Sequence, residues 1–359
     1  MAWYRRLNLL TLLLCFAVIV FGAYVRLSDA GLGCPDWPGC YGHLTIPQAE
    51  HEIASAEARY PERPVDAPKA WKEMIHRYLA STLGLLILAL AFGSLRLRAA
   101  ARPRVLPWVL VGLVIFQGIL GMWTVTWQLK PLVVTAHLLG GMTTLALLLW
   151  LYLGVRRLGT MAATDGAPLR ELRSERHLAF ALDRERRDDA PASAPRGARS
   201  LRVFAAFALG LLTVQIFLGG WTSTNYAALA CPDLPTCHGS FWPETDVKTA
   251  FTLWHGLGIN YEYGILDARA RVTIHHFHRV GALIVTLTLV LLGVALLRRG
   301  ERALGVAVLL ALALQVSIGI GVVALQLPLW LAAAHNAGAA ILVAVLVTLN
   351  HHAWARSET

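Results

Sequence analysis

The sequence predicts an all-α membrane protein whose eight transmembrane helices form two pseudo-symmetric four-helix bundles. Three observations predict it. Of 359 residues, 56% are hydrophobic and only 15% charged, a balance foreign to soluble domains of this size. A bilayer core about 30 Å thick takes roughly 20 mostly apolar residues per helical span. Such stretches occur at 7–27, 74–95, 105–127, 131–154, 201–223, 277–297, 303–325 and 329–350. Finally, the second half of the chain repeats the first.

The first stretch runs straight into a loop that the second half repeats, and it lacks a small-residue cleavage site. It therefore reads as a retained helix and not as a cleaved signal peptide. Basic residues gather on one side of the alternating loops: Arg5 and Arg6, then Arg96, Arg98, Arg102 and Arg104, then the segment 155–200, then Arg298, Arg299 and Arg302. By the positive-inside rule that side is cytoplasmic. Both termini then face the cytoplasm of a bacterial inner membrane, and the loops 28–72 and 224–273 lie outside. The formal charge of +10 reports this topology and gives no ground for a nucleic-acid partner. Segment 155–200 is polar and of mixed charge, with a Pro/Ala/Ser/Gly-rich end from Pro191 to Ser200. It is expected to tether an N-terminal unit, 1–154, to a C-terminal unit, 201–359.

The repeat has several landmarks. Phe21 to Gly42 aligns with Gly219 to Gly239, placing Cys34 over Cys231, Cys40 over Cys237 and Gly42 over Gly239 at an offset of 197. His76 and Arg77 fall over His278 and Arg279 at an offset of 202, and Gln117 and His137 over Gln315 and His335 at 198. Each unit holds an even number of spans, so both enter the membrane from the same side, related by an axis along its normal. Two similar sites are expected.

His76 opens the second span and His137 lies about seven residues into the fourth, both descending from outside. At about 1.5 Å per residue both imidazoles sit within roughly 10 Å of the outer surface, and His278 and His335 repeat the arrangement. Paired histidines from facing helices of a bundle suit a cofactor held in its core. A zinc or copper site wants three or four converging ligands, whereas heme supplies four equatorial nitrogens and needs only axial ones. A single intramembrane histidine would more often hydrogen-bond a neighbouring helix; four in register favour bis-histidine heme. Arg77 and Arg279 follow ligand candidates at the membrane boundary, where a guanidinium can pair with heme propionates or merely snorkel to the interface.

Cys34 with Cys40 and Cys231 with Cys237 flank proline-containing turns on outer loops, in an oxidising compartment. They read as two intraloop disulfides, structural by default, with exchange against a thioredoxin-like protein as the alternative. Cys15 is left as a lone thiol in the first span. Glu73 precedes His76 by three residues and shares its helical face; the equivalent position in the second half is His275. First-turn placement would account for Glu73 on position alone, yet the asymmetry suggests two sites of different role. His43, His51, His238, His255, His351 and His352 receive no role.

Taken together, these residues resemble heme A synthase: Tyr24 through Cys40 (YVRLSDAGLGCPDWPGC), Glu73-Met-Ile-His-Arg77, Ala136-His137, Cys231-Pro-Asp-Leu-Pro-Thr-Cys237, His278-Arg279 and Ala334-His335. The likeness covers nearly the whole chain outside the linker. It implies oxidation of the C8 methyl group of heme O to a formyl group, giving heme A for a-type terminal oxidases. It also implies a substrate heme site in the N-terminal half with His76, His137 and Arg77, and a heme b cofactor in the C-terminal half with His278, His335 and Arg279. Glu73 matches the family's catalytic acid. Implied partners are the heme O substrate, heme O synthase, an electron-transfer protein and membrane lipid, with homo-oligomerisation left open. The competing class is a diheme membrane cytochrome b-like electron carrier, which has no need of an acid beside one heme only.

Overall fold

The computed structural model describes residues 2–97, 103, 105–164 and 196–355. Among the described residues every regular element is helical. The first half holds α1 (Ala2–Leu27), α2 (Glu50–Arg59), α3 (Ala67–Leu95), α4 (Leu106–Thr126) and α5 (Pro131–Thr164). The second holds α6 (Arg196–Thr224), α7 (Val247–Ala250), α8 (Ala268–Arg298), α9 (Arg302–Ala324) and α10 (Leu329–Ala355). All but α2 and α7 are long and apolar enough to cross a membrane, giving the eight spans expected.

Four spans start five or more residues earlier than their hydropathy indicates. α1 begins at Ala2, α3 at Ala67, α6 at Arg196 and α8 at Ala268, against expected starts at 7, 74, 201 and 277. The first turns of α3 and α8 are polar, so hydropathy passes over them. They are helical because each is capped: the Asp66 carboxylate accepts from Lys69 N at 3.1 Å, and the Asp267 carboxylate from Ala270 N at 2.8 Å. His76 and His278 accordingly sit well inside their helices and do not open them. α5 and α6 also run into the expected tether from either side; its residues 165–195 lie outside the described ones.

Helix neighbours repeat between the halves. α1 packs on α3 and α5, and α4 on α3 and α5; likewise α6 packs on α8 and α10, and α9 on α8 and α10. Between halves, α1 meets α10, and α5 meets α6 and α10. One buried apolar cluster runs through both halves, including Ile87, Leu110, Leu148, Leu289, Leu292 and Leu346. Leu85, Ile115, Leu287 and Leu310 point outward and exposed, as a lipid-facing surface requires. Few polar groups cross this core; Asn350, on α10, donates to Ala205 O at 3.1 Å and to Leu346 O at 2.8 Å.

The halves also lock together at the loop end. Tyr261 N donates to Gln128 O at 3.0 Å. The Lys130 ammonium, buried at the start of α5, donates to Gly256 O and lies 3.0 Å from the Trp254 ring centroid. The Trp254-His255-Gly256 segment thus clamps the second long loop onto the first half.

Candidate heme sites and the disulfide loops above them

The disulfide loops repeat closely between the halves. Cys34–Cys40 and Cys231–Cys237 are bonded, with Cα atoms 4.8 and 4.7 Å apart. One aspartate folds each loop from within: Asp36 accepts from Tyr41 N at 2.6 Å and Gly42 N at 2.7 Å, Asp233 from His238 N at 2.6 Å and Gly239 N at 2.9 Å. Gly42 and Gly239 have φ of +81° and +76°, where a side chain would be strained. The Thr236 hydroxyl and these amides hold the Asp233 carboxyl far below the usual carboxylate range. Folding lowers this value, so its contribution is present above the ordinary carboxylate range and is lost only as pH falls through the lowered one. Thiol labelling of denatured, unreduced protein is expected to find Cys15 alone among the five cysteines; labelling at any other would contradict the pairing.

Arg77 and Arg279 hold these loops from below. Arg77 donates to Asp36 O and Pro38 O, each at 3.1 Å, and to Gly39 O. Arg279 donates to Asp233 O and Thr236 O, each at 2.8 Å, and to Cys231 O at 2.6 Å. In the first half Glu73 links arginine to loop: it pairs with Arg77 and accepts from Cys34 N at 2.9 Å. In the second, His275 occupies the same place, with Nε2 accepting from Arg279 at 3.1 Å and Nδ1 lying 3.3 Å from Cys231 N. A neutral imidazole accepts at one nitrogen only, yet the second loop keeps the same disulfide, the same aspartate turn and the same positive-φ glycine.

Below the loops the four repeated histidines lie as two pairs, His76 within electrostatic reach of His137 and His278 of His335. Each ring is backed by a glycine of a neighbouring helix. A Cβ on Gly22 would lie 2.7 Å from His76 Cε1, on Gly219 3.1 Å from His278 Cε1, on Gly121 3.6 Å from His137 Cε1 and on Gly319 2.9 Å from His335 Cε1. A second pair of glycines, Gly140 and Gly338, makes room for the Gln117 and Gln315 amides. Nδ1 of His76, His137 and His335 is buried without a hydrogen-bond partner, although each ring as a whole is only half-buried. His335 meets the Gln315 amide nitrogen through its other ring nitrogen, Nε2, at 3.4 Å.

Comparison with known proteins decides the family. Residues 5–347 match the cytochrome oxidase assembly protein family, COX15-CtaA. The chain belongs to this family. It is 43% identical to the heme A synthase of Shewanella oneidensis over 100% of this chain and 98% of that protein. It is 27% identical to the heme A synthases of Sphingopyxis alaskensis, over 96% and 90%, and Caulobacter vibrioides, over 92% and 90%.

Membership brings heme to the chain, and the residues fit it. Four imidazoles in two matched pairs, each packed against a glycine of a neighbouring helix, are a donor set suited to axial ligation of heme iron. Among the described residues no cluster of three or more His, Cys, Asp or Glu could hold a bare metal ion. The sequence reading missed the glycines, though the signal was present: Gly22 stands 197 residues before Gly219, and Gly121 and Gly140 stand 198 before Gly319 and Gly338. It missed Asp36 and Asp233 as loop centres. The guanidiniums of Arg77 and Arg279, for which propionate pairing and interfacial snorkelling both stood open, donate here to loop carbonyls.

Proposed function

We propose that the chain is a heme A synthase, oxidising the C8 methyl group of heme O through a hydroxymethyl to a formyl group. The observation that carries this reading is one difference between two otherwise matching sites. A buried carboxylate, Glu73, stands above the histidine pair of the first half, and a histidine, His275, above that of the second. An electron conduit needs no such difference; a site that does chemistry does.

His76 and His137 would hold the iron of the substrate heme O, and His278 and His335 would hold that of a resident heme b. Heme b, when bound, supplies one-electron chemistry to the second half. Arg77 and Arg279 support the propionate end of each site by fixing the loop above it. Glu73 lies one turn from His76 on the same face of α3. Its carboxylate can take up the proton released as the methyl carbon is oxidised, or stabilise positive charge developing there. The apolar bundle excludes bulk water and so strengthens that interaction.

The chain resides in the bacterial inner membrane with both termini cytoplasmic and the disulfide loops outside. It takes its substrate from heme O synthase and exchanges electrons with a membrane partner. Chromatography of hemes extracted from cells making this chain with a heme O source tests the reading. Heme A is the expected product, and unchanged heme O with no oxidised derivative is the contrary result.

A further inference from the structure

The four histidines are not held alike. His278 is the one whose Nδ1 meets a side chain: the Gln215 amide nitrogen of α6 lies 2.9 Å from His278 Nδ1 and 2.9 Å from His278 O. Gly281, one turn on along α8, makes the space. A Cβ there would stand 2.2 Å from Gln215 Oε1. At the repeat offsets already found, 197 and 202, the first half has Val18 in place of Gln215 and Leu79 in place of Gly281. Both members of the arrangement are thus replaced by apolar residues, and His76 Nδ1 is left buried without a partner.

The partner of Nδ1 matters because it sets tautomer, ring orientation and basicity of an imidazole that ligates through Nε2. Nε2 ligation leaves the ring proton on Nδ1. That proton calls for an acceptor, and Gln215 Oε1 is buried at this place with no partner of its own. Rotation of the amide that brings Oε1 to Nδ1 exchanges the bond now donated to His278 O for one accepted from the ring.

We propose that Gln215 is the positioning residue that fixes His278 as a permanent axial ligand, so that the second half retains its heme while the first half, lacking this hydrogen bond, exchanges its own. The inference rests on the division between cofactor and substrate sites given above. Retention and turnover are thereby separated by one amide and one glycine.

The test uses full-length purified protein with its bound heme, comparing Gln215→Leu and Gln215→Glu with wild type. Two quantities are read: the midpoint potential of the low-spin heme and its rate of loss to excess apomyoglobin. Gln215→Leu removes the acceptor, so the ligand becomes less basic. The potential is expected to rise and heme loss to quicken by about 10-fold or more, the scale of lost outer hydrogen bonds at metal ligands. Gln215→Glu, a stronger acceptor, is expected to lower the potential and keep heme loss slow. A merely structural role would not move the potential in opposite directions. Unchanged potential and loss rate in both variants would overturn the proposal, as would shifts of the same sign. Should Gln215→Leu fail to accumulate, the Glu variant alone decides through the sign of its shift. His278→Ala separates the two levels. If it keeps the retained heme, the division of sites is wrong; if it loses that heme while the Gln215 variants behave as wild type, only the role of Gln215 is.

Discussion

His278→Ala and His335→Ala are each expected to remove most of the low-spin heme b spectrum of the purified protein. The reason is local. Both rings lie within spans, each pressed by a glycine of the next helix, Gly219 and Gly319, whose missing side chains leave room for imidazole alone. An alanine at either position removes the ring nitrogen, while Arg279 is engaged with the loop carbonyls and His275 with Arg279. Loss of an axial ligand converts low-spin to high-spin heme or releases it. The absorption spectrum at matched protein concentration reads the outcome, and a full low-spin spectrum in both variants would place the resident heme elsewhere.

The second large effect is at Glu73. Glu73→Gln is expected to leave heme b and protein abundance near wild type and to cut heme A formation by about 10²-fold or more, the contribution of a positioned proton acceptor. Extracted heme should then be heme O or its hydroxymethyl derivative. The structural role of Glu73 is separable from its charge, because the second half builds the same loop with His275 in that position. Glu73→His, which copies the second half into the first, should therefore keep the Cys34–Cys40 loop intact and still fail to make heme A. Normal heme A output from either variant would remove Glu73 from the chemistry. Loss of heme b in both would make it a structural residue, its ion pair with Arg77 being buried and costly to break from one side.

Much of the architecture was legible because a bilayer enforces it. Apolar length gave the eight spans, and the repeat offsets gave the four histidines, the cysteine pairs and the odd position, Glu73 against His275. Hydropathy misplaced the starts of α3 and α8 because their capped first turns are polar but helical, held by Asp66 and Asp267. Sequence pattern also left unread the loop-holding bonds of Arg77, Arg279, Asp36 and Asp233. These side chains bond to backbone atoms of residues up to 48 positions away, and backbone partners carry no residue-type signal. Gln215 was invisible for the opposite reason. It has no counterpart in the repeat, and a search for what the halves share passes over what only one of them has.

The division of labour between the halves is tested most directly by the heme content of purified His76→Ala protein, extracted and separated by chromatography from cells supplied with heme O. The first-half site is then lost and the second-half site intact, so heme b is expected at the wild-type ratio to protein, with neither heme O nor heme A bound. Loss of heme b with retention of heme O or heme A would contradict it, and would reverse the assignment of substrate and cofactor to the two halves.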